Sequence, residues 1–404
     1  MSRSTSIDLE DFVRESEEFV AAHHPRRTPA SVREAVSFSV LPEKSAEVEA
    51  RELAEALTWR RTTYDAGFGW IDGPVEHGGR GLPSHFADAY RTVERRFQVP
   101  DEAYTRFSVA ILCPTLLEHA DAGLRAELLS PLRRADLVSC QLFSEPDAGS
   151  DLASVRTRAT REGDAWTVTG QKVWTSGAHY SQVGLLLART EAGSRRHRGL
   201  TAFLIDMDQP GIEVRPIHQM TGGASFSEVF LDGAVVPDSR RIGPEGQGWS
   251  VIMATMRHER SVIGTEGGVD LALIDQLASV VAAEPDLQED LSVLERLGEA
   301  LVRGRSGAAM TQAFLAAAGG EPGPEMSMSK VLLTDNLHRI SELAQDVLLD
   351  RAVVASGTPA ELAWNQLTLS LEGLRIGGGT DEILRTVVAE RVLGLPRPEA
   401  PTSR

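Results

Sequence analysis

The 404-residue chain is 42% hydrophobic and 25% charged, a composition typical of a soluble globular protein with two or three domains. Its net charge of −17 argues against nucleic acid and anionic membrane surfaces as ligands. The two cysteines, Cys113 and Cys140, are too few for a disulfide framework or a cysteine zinc site, and no metal is predicted. The sequence shows no signal-peptide pattern and no run of about 18 apolar residues, so we expect a cytoplasmic protein.

The first 137 residues are predicted to form a helical domain. Apolar residues recur there at the spacing of one helix face rather than in the alternation of a strand. A glycine-dense loop spans residues 67–83. The predicted helices cover residues 7–20, 45–65, 84–96 and 100–122.

Residues 138–245 are predicted to form an antiparallel β-domain. Short apolar runs lie close together, and turns containing Gly, Pro or Asp separate them without intervening helices. The absence of a strand–GxGxxG–helix unit argues against a nicotinamide enzyme of the Rossmann type. The predicted strands cover residues 166–169, 183–188, 200–206, 212–215 and 228–231.

The periodicity is helical again from residue 246 to residue 404. The pattern as a whole therefore predicts an α+β chain with domains 1–137, 138–245 and 246–404. The predicted helices of the last domain cover residues 248–263, 291–318, 326–355, 360–374 and 381–393.

Two polar motifs in the β-domain carry the strongest functional signal. The first, Gln141-Leu-Phe-Ser-Glu-Pro-Asp-Ala-Gly-Ser-Asp151, is a turn-rich loop in which Gly149 lets a ligand approach the backbone. The second, Gly170-Gln-Lys-Val-Trp-Thr-Ser-Gly177, places the aromatic side chain of Trp174 beside small polar residues. An aromatic face next to hydroxyls and open backbone amides suits a flat, polar-edged ring such as a flavin.

These two motifs resemble the flavin-contacting segments of the acyl-CoA dehydrogenase family. The resemblance continues, in the family's order, in Glu76-His-Gly-Gly-Arg-Gly-Leu-Pro83, Gly378-Gly-Thr-Asp-Glu-Ile-Leu-Arg385 and Ala389-Glu-Arg-Val-Leu-Gly-Leu-Pro396. It implies an N-terminal helical domain, a central antiparallel β-domain and a C-terminal four-helix bundle. It also implies a homodimer or homotetramer that removes a proton from Cα and a hydride from Cβ of an acyl-CoA thioester. The hydride would go to N5 of FAD, and an electron-transfer flavoprotein would then collect the electrons.

The resemblance also assigns roles to individual positions. The residues matching those that hold the flavin ring are Gln141, Phe143, Ser144, Trp174 and Ser176. Ser150 matches a position near the cofactor pyrophosphate and the substrate. The residues matching those that contact the nucleotide end are Gly379, Thr380 and Glu382. For the two aromatic residues, ordinary core packing is the alternative explanation.

The catalytic base is where the sequence departs from the commonest pattern of the family. Many members place a glutamate directly before the Gly-Thr of the C-terminal motif, and that position here is Gly378. Glycine takes no proton, but its backbone N–H can still donate to the thioester carbonyl. Gly378 is therefore predicted to act through its backbone, and the base must come from elsewhere.

Glu259 is the predicted replacement. It shares one face of a helix with Ile252, Met256 and Ile263, at spacings of 4, 3 and 4 residues. A carboxylate in such an apolar stripe is a candidate general base. Its position also resembles the alternative glutamate of branched-chain and some long-chain members of the family. A structural ion pair with a neighbouring basic residue is the alternative.

Several assignments remain open at this point. Glu372 and Asp381 are weaker candidates for the base. Arg260 resembles an arginine that steadies base and substrate, and a surface ion pair is nearly as good an explanation. The basic loop 195–198 either contacts the phosphates of coenzyme A or is simply solvated.

Two other functions fit the same motifs. The chain could be a flavoprotein of this fold that uses a carrier-protein-bound acyl group or oxygen. It could also be a non-catalytic subunit of a heteromeric dehydrogenase. The second alternative is suggested by residues 267–305, which lack the Arg-x-Phe-Gly-x-x-Ile segment with which many members reach a neighbouring subunit's cofactor.

Overall fold

The computed structural model describes residues 7–28, 44–265, 269–317, 323–352 and 359–397. The helices before the sheet are α1 (Leu9–His23), α2 (Ala46–Asp65), α3 (Ser84–Glu94), α4 (Ala103–Arg106), α5 (Cys113–His119) and α6 (Ala122–Arg134). A π-helix, Phe107–Leu112, joins α4 to α5. The helices after the sheet are α7 (Gly248–Thr265), α8 (Val269–Ala283), α9 (Pro285–Gln288), α10 (Leu291–Ala317), α11 (Met326–Leu348), α12 (Pro359–Ile376) and α13 (Asp381–Val387).

The N-terminal helices pack around an aromatic core. Phe12 of α1, Trp59 of α2 and Phe86 of α3 are all buried in it. Polar caps fix where the helices begin: the side chain of Asp8 accepts from Glu10 N at 3.3 Å, and that of Asp121 from Leu124 N at 2.8 Å. Sequence periodicity located α1 to α3, but α6 was not predicted as a separate helix.

The sheet has eight strands in the order β6-β7-β3-β2-β4-β5-β8, and β1 pairs with β4. The strands are β1 (Ser139–Leu142), β2 (Arg158–Glu162), β3 (Ala165–Ser176), β4 (Val183–Arg189), β5 (Leu200–Asp206), β6 (Ile212–Ile217), β7 (Phe226–Pro237) and β8 (Arg241–Ile242). Buried apolar side chains, including Leu142, Trp166 and Phe203, form the core against one face. Most neighbours are antiparallel, as predicted.

The sheet departs from the prediction in several respects. β1 pairs with β4 in parallel, because a long connection through β2 and β3 separates them along the chain. β3 extends to Ser176, so the second polar motif is itself a strand that pairs with β7. β2 escaped prediction because four of its five side chains are exposed and its sequence has no apolar alternation.

The C-terminal helices bury a third core, which is mainly aliphatic. Leu277 of α8, Ile340 of α11 and Leu367 of α12 are at most 1% exposed within it. The predicted helix 326–355 ends at Leu348, because the next residue, Leu349, adopts a left-handed φ of +51°. α8 was not predicted, and α13 continues into a short π-helix, Val388–Val392.

The described residues fall into two compact units. The first contains the N-terminal helices and the sheet, with residues up to His218 and Ala224–Thr255. The second contains Gln219–Gly223 and the described residues from Met256 onward. Among the described helices, none combines the length and the apolar character needed to cross a bilayer.

Glu94 lies in the N-terminal core, and its carboxyl group has a raised pKa. Glu94 Oε1 accepts hydrogen bonds from Trp59 Nε1 at 3.0 Å and from Tyr90 Oη at 3.3 Å. Burial, reinforced by the negative charge of Glu102, raises the pKa of Glu94 to about 7. The carboxyl therefore stays largely protonated in the folded chain at pH values where an unfolded glutamate is ionised.

Glu94→Gln should stabilise the protein at pH 8 and have a much smaller effect at pH 5. The folded chain holds this proton up to about pH 7, whereas the unfolded chain releases it near pH 4.3, so the wild type loses stability between these values. The variant should gain roughly 1–3 kcal/mol of unfolding free energy at pH 8. Urea unfolding followed by tryptophan fluorescence measures it, and exposed Glu18→Gln is the control. A gain independent of pH would contradict the assignment.

Candidate active site

The loop after β1 presents polar groups and open backbone. Phe143 is buried, Ser144 is partly exposed, and the hydroxyl-bearing Ser150 is exposed. A Cβ added to Gly149 would meet no atom within 4 Å, so the backbone there is accessible to a flat ligand. Gln141, the third residue of β1, is also partly exposed, whereas its neighbours Cys140 and Leu142 face the sheet core.

The second motif contains a bulge that turns an aromatic side chain outward. The register of β3 against β7 shifts between Lys172 and Thr175, and Trp174 inside this bulge has a left-handed φ of +61°. Its indole is 58% exposed and meets the Phe226 ring edge-on at 5.9 Å. Left-handed backbone costs a non-glycine residue about 1–2 kcal/mol, and such strain concentrates at functional sites. The hydroxyl of Ser176 is exposed two residues further on.

A buried ion pair and a backbone hydrogen bond join the two motifs. Val173 N donates to Ser144 O at 2.9 Å. The ammonium of Lys172, whose side chain is 0% exposed, donates to Phe143 O and to Glu145 Oε1, both at 2.9 Å. These contacts place the loop after β1 directly against the bulge of β3.

The carboxylate of Glu145 also closes the far end of this loop. It accepts from Arg156 N at 2.6 Å and from Thr157 N at 2.8 Å. Burial raises its pKa, but the charge and hydrogen bond of Lys172 outweigh that effect, and the pKa is lowered. Burial lowers the pKa of Lys172 to about 8, against the opposing attraction of Glu145. The pair is therefore ionised at neutral pH.

The C-terminal motif forms a second tightly held loop, between α12 and α13. Gly378 and Gly379 have left-handed φ values of +67° and +98°, a conformation that favours glycine. Thr380 caps α13 by accepting from Ile383 N at 3.2 Å, and Glu382 is exposed in the first turn. Lys330 of α11 donates to Gly379 O at 3.1 Å.

Asp381 is the anionic centre of this second loop. Its carboxylate accepts from Lys330 Nζ, Thr334 Oγ1 and Arg375 Nε, each at 3.1 Å. Burial raises its pKa, but the hydrogen bond and charge of Lys330 prevail, so that the pKa is lowered. A carboxylate with three donors and a lowered pKa is a poor proton acceptor, which argues against Asp381 as a base.

Models of one protein family match both the β-domain and the C-terminal helices. Residues 140–234 match the acyl-CoA dehydrogenase middle domain, and residues 246–393 match the acyl-CoA dehydrogenase C-terminal domain. The chain is 38% identical over 352 residues to acyl-CoA dehydrogenase IpdE1 of Mycobacterium tuberculosis, covering 86% of this chain and 90% of that protein. The chain belongs to the acyl-CoA dehydrogenase family. It is an FAD-dependent enzyme.

Two further similarities extend this finding. Acyl-CoA dehydrogenase IpdE1 of Mycolicibacterium smegmatis is 36% identical over 361 residues, covering 86% of this chain and 90% of that protein. A solved structure titled "Tcur3481-Tcur3483 steroid ACAD" superimposes with a TM-score of 0.77 at 22% identity, covering 96% of this chain and 98% of that one. The solved structure confirms the predicted fold, with helical segments before and after a mainly antiparallel sheet.

The residues brought together in this acyl-CoA dehydrogenase are suited to a flavin. The exposed indole of Trp174 offers an aromatic face. Hydroxyl groups are offered by Ser176, two residues further along β3, and by Ser144, whose carbonyl oxygen accepts from Val173 N. The accessible backbone at Gly149 adds room for close approach. When bound, FAD supplies the hydride acceptor of the reaction.

The predicted base, Glu259, lies on α7 and is partly buried. Of the apolar residues predicted to share its face, Ile252 is fully buried and Met256 partly exposed. The side chains of Ile263 and Arg260 lie outside the described residues. The other candidate, Glu372, is exposed on α12.

The sequence reasoning missed the two lysines that hold the loops. Lys172 was seen only as part of a motif, and Lys330 was not singled out. One signal could have found them: three of the 41 basic residues are lysines, at positions 44, 172 and 330. Only the structure shows that two of these lysines, Lys172 and Lys330, are buried and bind the motif loops.

Trp174→Gly should weaken FAD binding by about tenfold, because the variant loses an aromatic contact worth about 0.5–1.5 kcal/mol. Glycine tolerates the left-handed backbone, so the apoprotein should keep its unfolding free energy within about 1 kcal/mol. Titration of apoprotein with FAD, followed by flavin fluorescence, measures the affinity. Val235→Ala, at another exposed apolar side chain of the sheet, is the control. Unchanged FAD affinity in Trp174→Gly would remove this residue from the site.

Proposed function

We propose that this chain dehydrogenates the α and β carbons of an acyl-CoA thioester, with Glu259 as the base for the α proton. The proposal rests on which carboxylates near the C-terminal motif and on α7 are able to accept a proton. The position before Gly379-Thr380 is glycine, and the neighbouring Asp381 is held by three donors. Glu259 is a partly buried carboxylate on the helix that follows the β-domain, where the family's alternative base lies.

Each residue then has a distinct part in the reaction. Glu259 accepts the proton from Cα, and charge develops on the thioester oxygen as an enolate forms. The backbone N–H of Gly378 donates to that oxygen, as the family's main-chain group does. Gly378 has a φ of +67°, a backbone conformation that glycine adopts readily and a glutamate would adopt only with strain. With FAD bound, the electrons taken from the substrate would go to an electron-transfer flavoprotein.

A cleft beside the start of α7 is a candidate site for the nucleotide end of coenzyme A. It has a volume of about 450 Å³, and its lining includes His197, Arg198, Gln247 and Trp249. Arginine side chains pair with phosphate groups, and a tryptophan face can stack on an adenine ring. Glu191 and Glu245 also line the cleft, so the basic groups of the loop must outweigh two opposing charges.

The basic loop beside this cleft has a defined shape. Arg189 donates from its guanidinium to Arg196 O at 3.2 Å and to Arg198 O at 2.9 Å, and also to Ser194 Oγ at 2.8 Å. The side chains of residues 195–198 are all exposed. A rigid loop with outward basic side chains supports phosphate binding over a merely solvated loop.

An oligomer is proposed for the working enzyme. The C-terminal unit carries large exposed apolar side chains, including Leu291 at 79%, Val302 at 64% and Leu393 at 65% exposure. Because the Arg-x-Phe segment is missing, cofactor contacts across a homo-oligomer are not supplied in the family's usual way. In a heteromer, a second chain of different sequence would supply these contacts. A chain that keeps its flavin when purified alone indicates a homo-oligomer, and a chain that loses it indicates a heteromer.

Glu259→Gln should abolish reduction of the flavin by substrate. Glutamine keeps the size of the side chain but takes no proton, so the rate of anaerobic flavin bleaching should fall by about 100-fold or more. The wild type and the variant are mixed with straight-chain, branched and ring-bearing acyl-CoA thioesters, and the absorbance of oxidised flavin is followed. Glu372→Gln is the matched control, since this exposed carboxylate lies near the C-terminal motif.

The other outcomes are equally informative. Bleaching that persists in Glu259→Gln would place the base elsewhere. A yellow wild type that no thioester bleaches would favour a carrier-protein-bound substrate. A colourless chain that gains FAD only with a second protein would favour the heteromer.

Replacing Arg195 and Arg198 together with serine should raise the KM for a CoA thioester about tenfold, or about 1.4 kcal/mol, with little change in kcat. The reason is the loss of phosphate contacts remote from the reacting carbons. The same acyl group on pantetheine, which lacks the nucleotide, should react equally with both proteins. Arg158→Ser, at an exposed arginine of β2, is the control. An equal loss with both thioesters would assign the loop a structural role instead.

A further inference from the structure

The distribution of lysine in this chain is unusual. Among 41 basic residues, lysine occurs at positions 44, 172 and 330, and arginine occupies every other position. Lys44 is partly exposed and pairs with Glu52 at 2.6 Å, as an arginine could. The side chains of Lys172 and Lys330 are 0% and 7% exposed. Both buried lysines bind a loop that carries proposed cofactor contacts.

Lys172 binds the first of these loops through its backbone. Its ammonium donates to Phe143 O as well as to the carboxylate of Glu145. Phe143 and Ser144 are proposed flavin contacts, and Trp174 is two residues from Lys172 along β3. One ammonium therefore sets the separation between two groups of proposed contacts.

Lys330 performs the same task at the second loop. Its three donors reach Arg375 O, Gly379 O and Asp381 Oδ1, each at 3.1 Å. Two of these acceptors are backbone carbonyls, one before the glycines and one on the last glycine itself, and the third is the carboxylate at the start of α13. All three N–H bonds of the ammonium are satisfied, so the loop from 375 to 381 is held at both ends.

An arginine could not reproduce the three bonds of Lys330. The guanidinium spreads five donors in one plane, whereas an ammonium is a compact charge with three donors in a tetrahedral arrangement. The acceptors at Lys330 come from three separate points of the chain, which suits the tetrahedral group. This explains why a chain that otherwise uses arginine keeps lysine here.

We propose that Lys172 and Lys330 are positioning residues for the cofactor, each fixing the backbone carbonyls of one FAD-binding loop. The inference rests on the proposed assignment of the flavin contacts. A buried ion pair by itself is weak evidence for stability, because desolvation offsets the attraction. Here each lysine also binds backbone oxygens of the loop, so its removal changes loop geometry as well as charge.

The test compares charge-neutral pairs of substitutions in the full-length chain. Lys172→Met with Glu145→Gln, and separately Lys330→Met with Asp381→Asn, remove each ammonium together with its carboxylate partner; in the second pair the partly exposed Arg375 also loses its partner. Lys44→Met is the control. Both double variants should bind FAD at least about tenfold more weakly in fluorescence titration. Their apoproteins should melt within about 3 °C of the wild type, and their bound flavin should show a less resolved visible spectrum.

Single variants separate charge from geometry. Lys172→Arg and Lys330→Arg keep the positive charge but lose the tetrahedral donors, so FAD affinity should fall as in the double variants. Where an arginine variant fails to fold, the charge-neutral double variant at the same site decides the outcome.

Wild-type FAD affinity and spectrum in the double variants would overturn the proposal. So would a loss of affinity fully explained by a lower melting temperature of the apoprotein, since a purely structural lysine predicts that result. If Trp174→Gly also leaves FAD binding unchanged, the proposed contacts themselves are wrong. If Trp174→Gly weakens binding and the lysine variants do not, the positioning role alone fails.

Discussion

The buried contact between Lys172 and Glu145 is the constraint on which the first motif depends. A charge with no exposure to solvent must be fully paired, and the loop after β1 supplies the pairing with a carboxylate and a backbone carbonyl. The same carboxylate accepts two backbone N–H groups from the segment that leads into β2. Satisfying one buried ammonium therefore shapes the whole loop between β1 and β2.

The rigidity of this support allows strain nearby. Trp174 holds a left-handed backbone within a bulge, with its indole mostly exposed, because Val173 and Lys172 are tied to the facing loop. The second loop uses the same chemistry with different partners. Lys330 and Asp381 hold a glycine pair in a conformation that presents backbone groups rather than side chains.

This arrangement bears on where the catalytic carboxylate can reside. The carboxylate nearest the glycine loop, Asp381, is committed to three donors and a lowered pKa. An acid that must stay ionised to hold a loop cannot also accept a substrate proton and release it in each turnover. Placing the base on α7, as proposed for Glu259, separates the two tasks.

The sequence by itself determined the family, the helix–sheet–helix order and the cofactor, because motif spacing and apolar periodicity are local properties. It also marked Trp174 and the glycines at 378–379, since aromatic and glycine residues among polar neighbours are visible in one dimension. Only the tertiary structure decided the parallel pairing of β1 with β4 and the strand character of the second motif, because both depend on partners distant in the chain. It alone revealed the burial of Lys172 and Lys330, since a lysine's burial depends on what packs around it.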